Sequence, residues 1–219
     1  MPETPQLQKV PGTWSLDRCK ALADGVFAIV VTLLVLGIDV PANHNFSEEG
    51  LIKFLDRISF HLLIYGISFW LAGTYWVQHS AILHYFRHGN RMVIWLNLLF
   101  LFPVTLLPFV TELKGTYRFE PLVTLLFGSL QILIGLALVL LWNYAVSNPT
   151  LLLREIDASL ARKVTLRMLM SPILISVAAI PISFVSIHLS TILFLSIPLY
   201  YLSHREIDRN LSDSGARVE

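Results

Sequence analysis

Long apolar runs alternate with short polar connections along this chain, and the runs have the length of membrane spans rather than of buried core helices. A crossing helix needs about 20 mainly apolar residues. Six segments meet or approach that length: roughly Leu22 to Val40, Ser59 to Leu83, Met92 to Thr111, Leu122 to Val146, Met168 to Ile187 and Ser190 to Leu202. The last is short, which predicts a tight hairpin around His188 and Leu189 and a final helix that tilts little or thins the bilayer locally. Two further segments are amphipathic. Leu51, Ile52, Phe54 and Leu55 share one side of a short helix in the first outer loop, and Asn148 to Arg167, opening on a Pro-Thr helix start, is expected at the cytoplasmic surface before the fifth span. The fold class is therefore all-α, a polytopic membrane protein, with a tail (1–17), one six-helix transmembrane unit (18–204) and a second tail (205–219).

Composition agrees with the pattern. Hydrophobic residues make up 55% of the 219 positions, charged residues only 14%, and mean hydropathy is +0.65, beyond the ~45–50% apolar share of soluble domains. A formal net charge of +1 offers no global field for nucleic acid, so none is expected as a partner. Cys19 is the single cysteine, which excludes an intrachain disulfide. No metal site is expected: His79, His84 and His88 have helical spacings, but no Cys or carboxylate lies close in sequence to complete a ligand set. Phosphate loops, nucleophile elbows and paired carboxylates are also missing from the sequence, so no enzyme is indicated. Lys and Arg set the orientation. Twelve lie in the tails and connections on the side of the N-terminus, against Lys53, Arg57, Lys114 and Arg118 on the other, so both termini are expected in the cytoplasm.

Asp24 sits near the start of the first apolar run, where an ionisable group costs a few kcal/mol on insertion scales and persists only with a partner or a task. Arg18, six residues before it, lies a third of a turn off its face, so the two do not form an intrahelical pair. Further along the same helix Gly25, Ile29, Thr32 and Leu36 fall within about 60° of one another, with Asp39 at the outer edge of the stripe. Such a stripe is either ordinary packing surface, with Thr32 bonded to its own i−4 carbonyl, or the lining of an axis in a symmetric oligomer. In the second case apolar rings can gate by dewetting and hydroxyl rings can replace part of an ion's hydration shell.

The run Arg18-Cys19-Lys20-Ala21-Leu22-Ala23-Asp24, followed by GVFAIVVTLLVL, resembles the signature R-x-x-x-F-S-D of the endolysosomal transmembrane potassium-channel family, in particular its short bacterial members. Leu22 and Ala23 replace the signature's Phe and Ser. Trp76 and His79 are similar to a W-x-x-H element of that family's second helix, and Asn97 to an element of its third. The resemblance implies a potassium-preferring cation channel, a homotetramer in the plasma membrane of a bacterium, with the lipid bilayer and permeant K+ as partners and no cofactor. It also implies that the first helix lines the pore: Ile29 would be the constriction, Thr32 and Leu36 further pore-facing positions, and Asp39 a residue of the outer mouth. An inner network of Arg18, Asp24, Trp76 and His79, with Asn97, would fix the rotation of that helix. The family's longer members carry two six-helix units per chain, so a one-unit chain needs more copies to enclose the same pore. The alternative is a proton- or cation-coupled secondary transporter using Asp24 and His79.

Overall fold

Helix ends follow capping residues and prolines more closely than they follow hydropathy. The computed structural model describes residues 15–38, 48–153 and 156–203. Helix α1 (Asp17–Leu36) stops at Gly37, earlier than the apolar run does. Helix α2 (Glu48–Tyr85) has 38 residues, roughly 57 Å at 1.5 Å per residue, so it exceeds a hydrocarbon core of about 30 Å. The short outer helix expected from the sequence is thus the first turns of α2, because no proline separates the amphipathic segment from the span behind it.

Proline does divide the next crossing. Helix α3 (Arg91–Thr105) gives way to α4 (Leu107–Thr116) at Leu106, whose N–H turns to the Pro103 carbonyl at 3.1 Å, and Pro108 stands in the first turn of α4. Asn90 caps α3 by accepting from the Val93 N–H at 3.0 Å, and its Nδ2 donates to the Tyr144 hydroxyl at 2.7 Å. Helix α5 (Pro121–Ser147) opens on proline, where the missing N–H costs nothing. The Pro149–Thr150 signal yields only a 3₁₀ turn, Pro149–Leu151. Helix α6 (Ala158–Met168) begins instead at Asp157, whose carboxyl the Ser159 hydroxyl and backbone N–H hold below the usual carboxylate range. A π-helical segment, Leu169–Leu174, surrounds Pro172 and leads into α7 (Ile175–Ser183). The hairpin to α8 (Ile187–Ser203) turns at 184–186, not at His188 and Leu189, because the Ser186 hydroxyl accepts from the Leu189 N–H (3.4 Å) and starts the helix there.

Among the described residues five helical stretches are long and apolar enough to cross a membrane, with the shorter apolar Ile187–Ile197 as a sixth. The protein is all-helical in these residues apart from one isolated antiparallel bridge, Phe86 with Leu152. That bridge belongs to a small clasp. Leu153 N–H donates to the Tyr85 carbonyl at 2.9 Å and Arg87 N–H to the Leu151 carbonyl at 2.8 Å, fastening the connection after α5 to the end of α2.

The core is built around α5, which meets α3, α4, α6, the π segment and α7. Trp142, Leu138 and Ile134 of α5 are buried with Tyr75 and Leu71 of α2 and Phe100 of α3. Gly135 lets the π segment approach: a Cβ there would stand 2.9 Å from Ile173 Cγ1 and 3.1 Å from Pro172 Cγ. Gly135→Val should therefore destabilise the protein by about 1–3 kcal/mol through overpacking, read as a lower thermal-unfolding midpoint in detergent. Gly73→Ala, where an added Cβ meets nothing within 4 Å, should leave the midpoint unchanged or raise it.

Candidate functional site

Helix α1 is covered on one side only. Cys19, Ala23, Phe27, Val30 and Leu34 are buried, and α1 packs against α2, α3 and α4 through them. The opposite stripe is bare: Ile29 is 59% and Leu36 75% exposed, and Gly25 before them and Thr32 between them are exposed too. Thr32 Oγ1 donates within the helix, to the Ala28 carbonyl at 3.0 Å and the Ile29 carbonyl at 2.8 Å. Its proton is thereby committed to the backbone, so the oxygen turns its lone pairs outward from the stripe. Asp39 lies outside the described residues.

Two contacts set the rotation of α1. Trp76 Nε1 donates to Asp24 Oδ1 at 2.8 Å, joining α1 to α2. Asp24 is exposed and Trp76 is 42% exposed, so this pair lies on the protomer surface and not in its core. Phe27, on the covered side of α1, stands 6.0 Å from Phe100, centroid to centroid. Phe100 in turn stacks on the His79 ring at 4.6 Å and 7°. His79 is 1% exposed, and its Nε2 donates to Asn97 Oδ1 at 2.7 Å.

Four of the five residues expected in one inner network form two pairs, Asp24 with Trp76 and His79 with Asn97. Arg18 joins neither: its side chain is exposed, with no hydrogen-bond or ion-pair partner among the described residues. It sits in the first turn of α1, too far round the helix for Asp24.

Sequence reasoning misses several polar groups. Lys114, counted above among the outer connections, is 1% exposed inside α4, where its Nζ donates to Thr124 Oγ1 of α5. The reason is that α4 continues past Thr111, so the third crossing ends five residues later than the apolar run. Thr111 Oγ1 donates to Ser68 Oγ (2.8 Å), and the Tyr75 hydroxyl to Gln131 Oε1 (2.7 Å). Phe100 carried no mark either, since a phenylalanine in an apolar run looks like any other core residue. Among the described residues no three His, Cys, Asp or Glu side chains gather where a metal ion could be held.

Known proteins resemble this chain in sequence and in fold. The sequence profile of the family described as endosomal/lysosomal potassium channel TMEM175 matches residues 18–108, from Arg18 through the whole of α3. A potassium channel of Streptomyces collinus is 30% identical over 154 residues, covering 68% of this chain and 74% of that protein. The chain belongs to the TMEM175 family. A potassium channel of Chamaesiphon minutus is 29% identical over 196 residues, covering 88% of this chain and 96% of the other. The crystal structure of a lysosomal potassium-selective channel TMEM175 homolog from Chamaesiphon minutus superimposes with a TM-score of 0.73 at 28% identity, over 84% of this chain and 95% of that one. This TMEM175-family chain is accordingly a multi-pass membrane protein of the lipid bilayer.

The buried pair gives a direct test. Asn97→Leu leaves the His79 donor unmatched in the core and should cost about 1–3 kcal/mol, whereas adding His79→Phe, which keeps the stack on Phe100, should recover part of the loss. Thermal melts of the two single variants and the double variant check this. Strictly additive losses would mean that the 2.7 Å bond contributes nothing of its own.

Proposed function

We propose that the protein is a potassium-preferring cation channel whose axis is lined by α1 of each subunit, four copies surrounding the pore. The observation that carries this reading is the bare stripe of α1. Other apolar faces are also uncovered, such as Leu133, Leu136 and Leu140 of α5, but those are continuous aliphatic surface of the kind lipid covers. The α1 stripe instead begins at a glycine and interposes an outward-facing hydroxyl oxygen between its apolar residues Ile29 and Leu36. Lipid gives that oxygen no donor, whereas a partly dehydrated cation suits it. The related potassium channels support the choice of ion, and their lengths match this single-unit chain.

In this reading Ile29 forms a narrow apolar ring, Thr32 a ring of oxygens and Leu36 a second apolar ring, with Asp39 beyond it at the outer mouth. The Asp24–Trp76 bond and the His79–Asn97 pair stand behind the pore and hold the helix at its angle. The whole of 18–204 acts as one channel unit, in the plasma membrane of a bacterium with both termini in the cytoplasm.

Recording from purified protein in bilayers with asymmetric potassium and sodium tests the function. Ile29→Asn should raise the current and bring the reversal potential closer to that of an unselective cation pore, because a polar ring lowers the dewetting barrier. An assembled Ile29→Asn protein with the current and reversal potential of the parent would remove Ile29 from the pore.

A further inference from the structure

The end of α1 remote from Arg18 carries a second feature. Gly37 closes the helix, and a Cβ added there would overlap Oε2 of Glu112 and lie 3.1 Å from its Cδ. The side chain of Glu112, from α4, is therefore laid directly on the last turn of α1, in the space beside Gly37. Its other oxygen, Oε1, accepts from the Thr116 hydroxyl at 3.0 Å, which holds the carboxylate in place.

Electrostatics makes this an unusual partner for a helix end. The last turn of α1 presents its unsatisfied carbonyls and the negative pole of its dipole, where cations are favoured and anions disfavoured. A lysine would be the ordinary choice, yet α1 has no basic residue in its last turn. Nearby cations are engaged elsewhere: Lys114 turns inward to Thr124, and the Arg118 guanidinium lies 4.6 Å over the Phe119 ring. Among the described residues Glu112 has no ion-pair partner; its one hydrogen bond comes from Thr116. A half-buried carboxylate and a helix C-terminus thus share one place, and a mobile cation is the partner that both favour.

We propose that Glu112, set on the C-terminal turn of α1, is the fixed charge that gathers hydrated monovalent cations at the outer end of the conduction path. This rests on the channel reading and adds to it a residue outside the α1 stripe. Gly37 lies about 100° round the helix from the neighbouring Leu36, towards the buried side, so Glu112 stands behind the mouth and not on the axis. Its action is to raise local cation concentration, without stripping water from the ion.

Such a charge is felt over ~30 Å at 0.01 M salt and only ~3 Å at 1 M. Glu112→Gln, which keeps an acceptor for Thr116, should therefore reduce potassium influx into proteoliposomes at low ionic strength by about twofold or more and leave it unchanged at high. Glu120→Gln, at the exposed start of α5, should change neither. If Glu112→Gln does not assemble, Glu112→Asp against Glu112→Asn makes the same comparison, with only the aspartate retaining the salt dependence. Equal influx for the charged and uncharged versions at every salt concentration overturns the proposal. Influx through the unmodified protein, measured in the same vesicles, carries the channel reading separately, so that result would leave the channel standing.

Discussion

The rotation of α1 about its own axis is the constraint on which the rest of this structure depends. A turn of one residue's worth, about 100°, would carry Ile29 into the buried place of Val30 and Phe27 into the exposed place of Ala28, erasing the distinction between the two faces. Two anchors of different chemistry resist it. One is a directional hydrogen bond at the surface, Trp76 to Asp24, and the other is a row of rings in the interior, Phe27 tilted against Phe100 and Phe100 stacked on His79, finished by Asn97. The first fixes an angle and the second fixes a depth. Neither would suffice alone, since a half-exposed bond is weakened by solvent and a row of rings permits some rolling.

The protomer interior carries more polar side chains than its hydropathy suggests, and they come in pairs across helices. Thr111 with Ser68 joins α4 to α2, Lys114 with Thr124 joins α4 to α5, and Tyr75 with Gln131 joins α2 to α5. In a membrane the apolar effect does not choose one helix face over another, so matched polar groups and close packing must supply the specificity. Gly135, where α5 admits the π segment, supplies the second of these. The outcome is a protomer with a defined interior and one apolar-and-hydroxyl stripe left over on α1.

How far this is legible in the sequence depends on whether a residue's meaning is local. The stripe itself is legible, because periodicity puts Gly25, Ile29, Thr32 and Leu36 on one side, but only the family resemblance says that it is left uncovered rather than packed. Asp24 announces itself by being charged in an apolar run, and the W-x-x-H and Asn97 resemblances point to partners at the right depth. Arg18 misleads for the opposite reason: a charged residue in a motif invites a partner, while the first turn of a helix lets it stay in water. Lys114 and Glu112 are concealed by the usual equation of charge with span end. Their environment is decided by where α4 stops, and that is set by Pro103, Pro108 and the packing of α4 on α2 and α5, none of which is a local property. The continuous α2 and the π segment were likewise hidden, since hydropathy reports apolar length and not helix type.

The clasp between Tyr85–Arg87 and Leu151–Leu153 ties together the ends of a stretch of about 65 residues. In water, closing a flexible loop of that size would cost roughly 4 kcal/mol in chain entropy, by the logarithmic scaling with loop length, about as much as the backbone bonds of the clasp return at about 1 kcal/mol each. Here the stretch crosses the bilayer an even number of times, once through α3 and α4 and once back through α5, so its ends emerge on the same face before any bond between them forms. Insertion into a plane has already confined the two ends, and the clasp needs only a lateral search. A feature of a few hydrogen bonds, which in water would do little more than offset the cost of closing the loop, becomes a stable closure because the membrane has reduced the dimensions of the problem.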